Sequence, residues 1–161
     1  MSEDGWIEHG TKAPAFTLAS DEGDKIRLAD LKGGPVVLYF YPKDDTPGCT
    51  KEACAFRDAS AALAKAGAKV FGVSPDDAAS HAKFREKYHL NFPLLIDPEH
   101  KVAEKYGAWR EKNMYGKKSW GIQRCTYLID ADGKVAKLWK RVKVEGHETQ
   151  VLEALAQLRS E

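Results

Sequence analysis

Two cysteines, Cys49 and Cys54, close the run Tyr41-Pro42-Lys43-Asp44-Asp45-Thr46-Pro47-Gly48-Cys49-Thr50-Lys51-Glu52-Ala53-Cys54 with four residues between them. A thiol reacts as its thiolate, which needs positive potential nearby. The run supplies it. Val36–Tyr41 is a continuous apolar stretch of strand-forming residues, as expected of a strand covered on both faces. It passes through a loop rich in Pro and Gly into Ala53, Phe56, Ser60 and Leu63, which recur at helical spacing. Cys49 therefore falls in the first turn of a helix, where unpaired amides and the helix dipole favour an anion. The Thr46 hydroxyl three residues earlier adds a third unusual feature, beside the helix start and the Pro-bounded loop.

The spacing of the pair differs from the Cys-x-x-Cys of disulfide-exchange proteins. On a regular helix, positions five apart are turned by about 140° and their Cα atoms lie roughly 8.7 Å apart, beyond the usual disulfide limit of about 7 Å. The two thiols cannot bond while the helix is intact. A disulfide between them would require the first turns to unwind, making the pair a conformational switch as well as a redox couple. The bland alternative for Cys54 is a small buried core residue. A metal site would need further ligands, and His9, His81, His89, His100 and His147 are scattered without ligand spacing, as surface or packing residues would be.

These residues must be positioned by the rest of a 161-residue chain, long enough for one well-packed domain, residues 1–161, and short for two. Twenty-five Lys and Arg against twenty-four Asp and Glu leave a net charge of +1, with no global field to hold nucleic acid or an anionic membrane. The N-terminal Met1-Ser2-Glu3-Asp4-Gly5 lacks a secretory pattern, and no apolar run is long enough to cross a bilayer, so a cytoplasmic protein is expected. Three cysteines form an odd, sparse set, unlike a secreted disulfide scaffold, which points to reactive rather than structural thiols.

Apolar runs alternate with amphipathic helical patterns, the mark of an α/β sheet covered on both faces. Strands are expected at Val36–Tyr41, Lys69–Val73, Pro93–Ile96, Cys125–Ile129 and Val135–Val144. Ser74-Pro75-Asp76-Asp77 offers a cap, a first-turn proline and acidic residues for a helix carrying Phe84 and Tyr88 on one face. Asp130-Ala131-Asp132-Gly133 reads as a hairpin turn, and Val151, Leu152, Leu155 and Leu158 mark a closing helix. The sheet is therefore mixed. A short N-terminal hairpin is expected at Ala15–Leu18 and Lys25–Leu28, turned at Asp21-Glu22-Gly23-Asp24. The stretch 108–123 shows no clear period and reads as a long loop carrying Trp109, Met114, Tyr115 and Trp120. It suits either an active-site wall or partner surface, or the cap of a core edge. Lys137, Lys140, Arg141 and Lys143 along the last strand read as protection of a sheet edge rather than as an anion site.

With the motif Pro42-Lys43-Asp44-Asp45-Thr46-Pro47-Gly48-Cys49 in view, the chain resembles the peroxiredoxins, whose active-site motif runs from a proline through Thr or Ser to the peroxidatic cysteine. Cys54 resembles the resolving cysteine of the bacterioferritin comigratory protein (Q-type) subfamily, and Arg124, at the head of Cys125–Ile129, matches the family's active-site arginine. Cys125 departs from the small or hydroxyl-bearing residue usual there and reads as a buried strand residue. The resemblance spans about Gly10 to the final helix. It implies a thioredoxin-like fold with a mixed central sheet flanked by helices and an N-terminal β-hairpin.

The same resemblance implies a thiol peroxidase without cofactor or metal. Cys49 would attack a peroxide to give a sulfenic acid, Cys54 would condense with it, and thioredoxin or a similar dithiol protein would reduce the disulfide. The protein would be a monomer or weak homodimer. Lowering a thiol's pKa raises its thiolate fraction but costs nucleophilicity, so the rate must come from groups that bind the stretching O–O bond. Arg124, Thr46 and the Cys49 amide are the expected donors, with Pro42 shaping and drying the pocket. Helix capping is a compatible task for Thr46, and a surface ion pair is the plainer task for Arg124. Two other functions compete: a disulfide reductase, which would want Cys-x-x-Cys, and a redox-gated holdase that exposes the aromatic loop on oxidation.

Overall fold

The computed structural model describes residues 4–159. Residues 1–3, part of the stretch read for a secretory pattern, and residues 160–161 lie outside the described residues.

The central strand β3, Val36–Phe40, is buried at every position, because its β-branched and aromatic residues meet a layer on each side. Period-two alternation sends Val36, Leu38 and Phe40 into one layer and Val37 and Tyr39, followed by Tyr41, into the other. β3 runs parallel to β4, Lys69–Ser74, and β4 parallel to β5, Leu94–Ile96. On its other side β3 pairs antiparallel with β8, Cys125–Ile129, which pairs antiparallel with β9, Val135–Trp139. The expected N-terminal hairpin is β1, Thr17–Ser20, with β2, Lys25–Arg27. It is not a separate unit ahead of the core. β1 pairs antiparallel with β5, giving one sheet in the order β2-β1-β5-β4-β3-β8-β9.

The layer holding Tyr39 and Tyr41 is closed by α1, Pro47–Asp58; α2, Ser60–Lys65; α3, Ala78–Tyr88; and α5, His147–Arg159. The other layer receives Val102 and Ala103 of α4, Lys101–Lys105, together with Trp6, Ile7 and Phe16. Tyr39 stacks on Phe56 with ring centroids 5.0 Å apart, tying α1 to β3. Burying one such ring contributes roughly 1.5–3 kcal/mol.

Three expectations are corrected. The stretch 108–123 is an antiparallel hairpin, β6, Trp109–Met114, and β7, Lys117–Ile122, rather than a loop. Its turn residues Tyr115 and Gly116 both have positive φ, 55° and 80°, as a two-residue hairpin turn requires. Most of β7 is exposed, so no alternation of apolar and polar residues betrays it. The last strand ends at Trp139 instead of Val144, where its pairing with β8 stops at Thr126. The helix after β4 is capped by Asp77, whose Oδ1 accepts from Ser80 N at 2.8 Å, rather than by Ser74, which still belongs to the strand.

Candidate active site

Cys49 is the third residue of α1 and is 1 % exposed, packed among Tyr39, Tyr41, Ala53 and Phe56. Thr46 is the N-cap and Pro47 opens the first turn, where proline's missing N–H costs nothing. Thr46 Oγ1 donates to Lys43 O at 2.9 Å and makes no side-chain cap. Of its two expected tasks, the cap is therefore carried by backbone alone, and the hydroxyl instead ties the loop. Pro42, the residue after Tyr41, is exposed, while Cys49 is buried in the apolar layer.

Arg124 lies in the two-residue gap between β7 and β8. Gln123 N donates to Ala108 O at 2.7 Å and Val142 N to Arg124 O at 3.2 Å, so the segment just past β9 pins the arginine's backbone. Its Nη2 is 3.3 Å from Cys49 Sγ, and its Nη1 is 2.8 Å from Glu52 Oε1. Burial works against the guanidinium's charge, but Glu52 and Cys49 outweigh it and hold the group cationic. Gly48 makes room for this approach, since a Cβ there would stand 3.0 Å from Arg124 Nη2.

Glu52 was not singled out by its sequence, yet it follows Cys49 by three residues, a spacing that puts both on one helix face. It is 1 % exposed, and its Oε2 has no hydrogen-bond partner among the described residues. Burial pushes its carboxyl up to about 7 against the opposing pull of Arg124. Lys112 also joins the neighbourhood from β6. Its Nζ donates to Ile122 O, and burial followed by the charge of Arg124 lowers its pKa.

Cys54 is half-buried on the same helix, and both cysteines are free thiols. It borders a groove with Lys51, Ala55, Asp58, Ala59 and Glu148. Cys125 is fully buried in the opposite layer, where desolvation pushes its thiol far up, so it stays protonated and inert.

A second polar cluster sits at the other end of the loop. Asp44, Asp76 and His81 place candidate ligand atoms within 4.8 Å of one another. Those atoms are already engaged: Asp44 Oδ1 accepts from Tyr41, Asp44 Oδ2 from His81 and Ser80, and Asp76 Oδ2 from Asp44 N and Ser74. His81 had read as an ordinary surface or packing residue, and only the fold reveals its partner.

A helix-start thiol facing a fixed arginine can attack an electrophile that the arginine polarises. The model of the AhpC/TSA family matches residues 9–138 of this chain. The chain is a peroxiredoxin of that family. It is 54 % identical over 146 residues to a putative peroxiredoxin Bcp of Coxiella burnetii, covering 91 % of this chain and 97 % of that one. It is 50 % identical over 149 residues to peroxiredoxin Bcp of Bacillus subtilis, covering 92 % and 95 %. The solved Xanthomonas campestris bacterioferritin comigratory protein, studied for alkyl peroxide reduction in trapped intermediate and ligand complexes, superposes with a TM-score of 0.88 at 39 % identity. That match covers 93 % of this chain and 98 % of that one. The sheet is thus that of the thioredoxin-like peroxiredoxin fold, and this peroxiredoxin is an enzyme, a thiol peroxidase. Among the described residues no helix is long and apolar enough to cross a membrane.

Proposed function

We propose that this peroxiredoxin acts as a single cytoplasmic domain, residues 1–161, and reduces hydrogen peroxide and organic hydroperoxides through Cys49. The observation that carries the reading is the 3.3 Å approach of Arg124 Nη2 to Cys49 Sγ. The Cys49 thiolate attacks one peroxide oxygen, the O–O bond breaks, and the departing oxygen takes a proton to leave as water or an alcohol. Cys49 remains as a sulfenic acid. The Cys54 thiol then displaces water from it and forms a disulfide, and a thioredoxin-type dithiol restores both thiols while becoming oxidised itself.

Arg124 stabilises negative charge as the O–O bond stretches, because its donors are aimed before the reaction begins. The backbone amides at the start of α1 face the same region. Thr46 offers its hydroxyl to the peroxide after exchanging its bond to Lys43 O, and Pro42 shapes the loop's exit from β3 by its fixed φ. Cys54 is only half-buried where Cys49 is buried, and the reductant meets the disulfide from the Cys54 side. Neither a cofactor nor a metal takes part, and the enzyme works as a monomer or weak homodimer.

The test couples peroxide consumption to NADPH oxidation through thioredoxin reductase and thioredoxin. Wild type should turn over, and Cys49→Ser should not, while keeping its fold, because serine stays protonated and poorly nucleophilic. More than trace turnover by Cys49→Ser would overturn the assignment. Stoichiometric rather than catalytic loss of peroxide would favour the redox-gated holdase.

A further inference from the structure

The loop that delivers Cys49 is held very unevenly along its length. Asp44 has a side chain only 3 % exposed, and both of its carboxylate oxygens and its backbone N–H are engaged. Its Oδ1 accepts from Tyr41 OH at 2.6 Å, its Oδ2 from His81 Nδ1 at 2.6 Å and Ser80 Oγ at 2.8 Å, and its backbone N–H donates to Asp76 Oδ2 at 2.7 Å. His81 is completely buried on α3, and its second ring nitrogen meets Leu95 O at 2.9 Å. An imidazole with an acceptor at each nitrogen is fixed in orientation. The next loop residue, Asp45, takes the left-handed conformation with φ 56° and is tied to Lys87 and Tyr88 at the far end of α3. Beyond Thr46 the contacts change character. The reactive end is held by α1's own backbone bonds, by the apolar packing of Cys49, Ala53 and Phe56, and by Arg124, with an exposed Lys51–Glu145 pair beside them.

We propose that Asp44 and His81 are positioning residues for the peroxidase reaction, a buried clamp that fixes the root of the reactive loop to α3 and so sets where Cys49 stands relative to Arg124. The inference rests on Cys49 being the reacting thiol. It also assigns the fold a hinge. When Cys49 leaves Arg124 to meet Cys54, the chain must turn between Asp44 and Asp45, both held to α3, and the freed helix start, which places the turn at Thr46. A buried, hydrogen-bonded pair is suited to this, because removing one partner leaves the other's polar atoms buried and unsatisfied. The clamp thereby resists the unwinding that the disulfide imposes further along.

The test compares two reactions of reduced protein at Cys49. One is its stopped-flow rate with hydrogen peroxide. The other is its alkylation by iodoacetamide, read at the Cys49 peptide by mass spectrometry. Alkylation needs an accessible thiolate but no alignment with Arg124. In His81→Leu, confirmed folded at the assay temperature, the peroxide rate should fall roughly tenfold or more, since small misplacements are costly in an aligned site. Alkylation should hold or quicken. Asp44→Asn should show the same split, and it carries the comparison alone if His81→Leu does not fold. A peroxide rate within about twofold of wild type, or equal slowing of both reactions, overturns the proposal, because the pair then acts on the fold or on thiol ionisation rather than on alignment. Wild type showing no Cys49-dependent peroxide reaction would instead defeat the peroxidase reading itself.

Discussion

Arg124 sets Nη2 3.3 Å from the sulfur of Cys49, a residue 75 positions away in sequence. The other arm of the same guanidinium grips Glu52, 2.8 Å away and one helical turn past the cysteine. The cation is thus aligned with the α1 face that carries both residues, and its planar fork uses two donors in two directions. A lysine ammonium offers charge without that geometry.

Arg124→Lys should accordingly lower the second-order rate of Cys49 with peroxide by roughly a hundredfold, the usual effect of removing one aimed transition-state donor. Stopped-flow measurement of sulfenic acid formation checks it. An unchanged rate would reduce Arg124 to a structural partner of Glu52.

Gly48→Ala tests the same alignment from the other side. Its Cβ would stand 3.0 Å from Arg124 Nη2, so the guanidinium must give by a few tenths of an ångström. A loss of roughly tenfold in the peroxide rate is expected. The helix itself should gain slightly in stability, since alanine is the better helix former. Thermal melts alongside the kinetics separate the two effects.

Glu52 gives the protein a pH dependence of defined sign. Its folded pKa of about 7 lies above the ordinary value of 4.5, so between those limits the native state holds more protons than the unfolded chain. Its contribution is fully present below about pH 4.5 and is lost as pH rises through about 7, a change of about 3 kcal/mol if nothing offsets it. Glu52→Gln cannot titrate and should remove that slope. Urea unfolding of both proteins across this range is the measurement, and parallel curves would refute the assignment.

Oxidation should melt one part of the site and spare another. One equivalent of peroxide should strip hydrogen-exchange protection from about Thr46 to Phe56, because α1 cannot hold a Cys49–Cys54 bond while intact. Amides of α3 should keep theirs. In Cys54→Ser the reaction should stop at the sulfenic acid with α1 still protected. Equal protection in reduced and oxidised wild type, with the disulfide confirmed by mass spectrometry, would show that no unwinding is needed.

The strand, the loop and the helix start around Cys49 were legible in the sequence because each is specified locally. A β-branched and aromatic run makes β3, Pro47 and Gly48 make the corner, and 3.6-residue spacing makes α1. Arg124 was legible only through a family resemblance, and Glu52 was available from its spacing alone, although nothing in that spacing shows that it is buried. The hairpin of β6 and β7 was hidden because most of β7 is exposed and its turn is Tyr115-Gly116 rather than Asn-Gly.

Only the tertiary structure decided which charges meet. Asp44 and His81 are 37 residues apart, and Cys49 and Arg124 are 75 apart. Such pairs form because parallel β3 and β4 and antiparallel β3 and β8 bring distant segments to the same end of one sheet. Burial there then raises the cost of any charge left unpaired. Local sequence carries backbone preference and periodicity, whereas desolvation and long-range pairing exist only once the layers have closed.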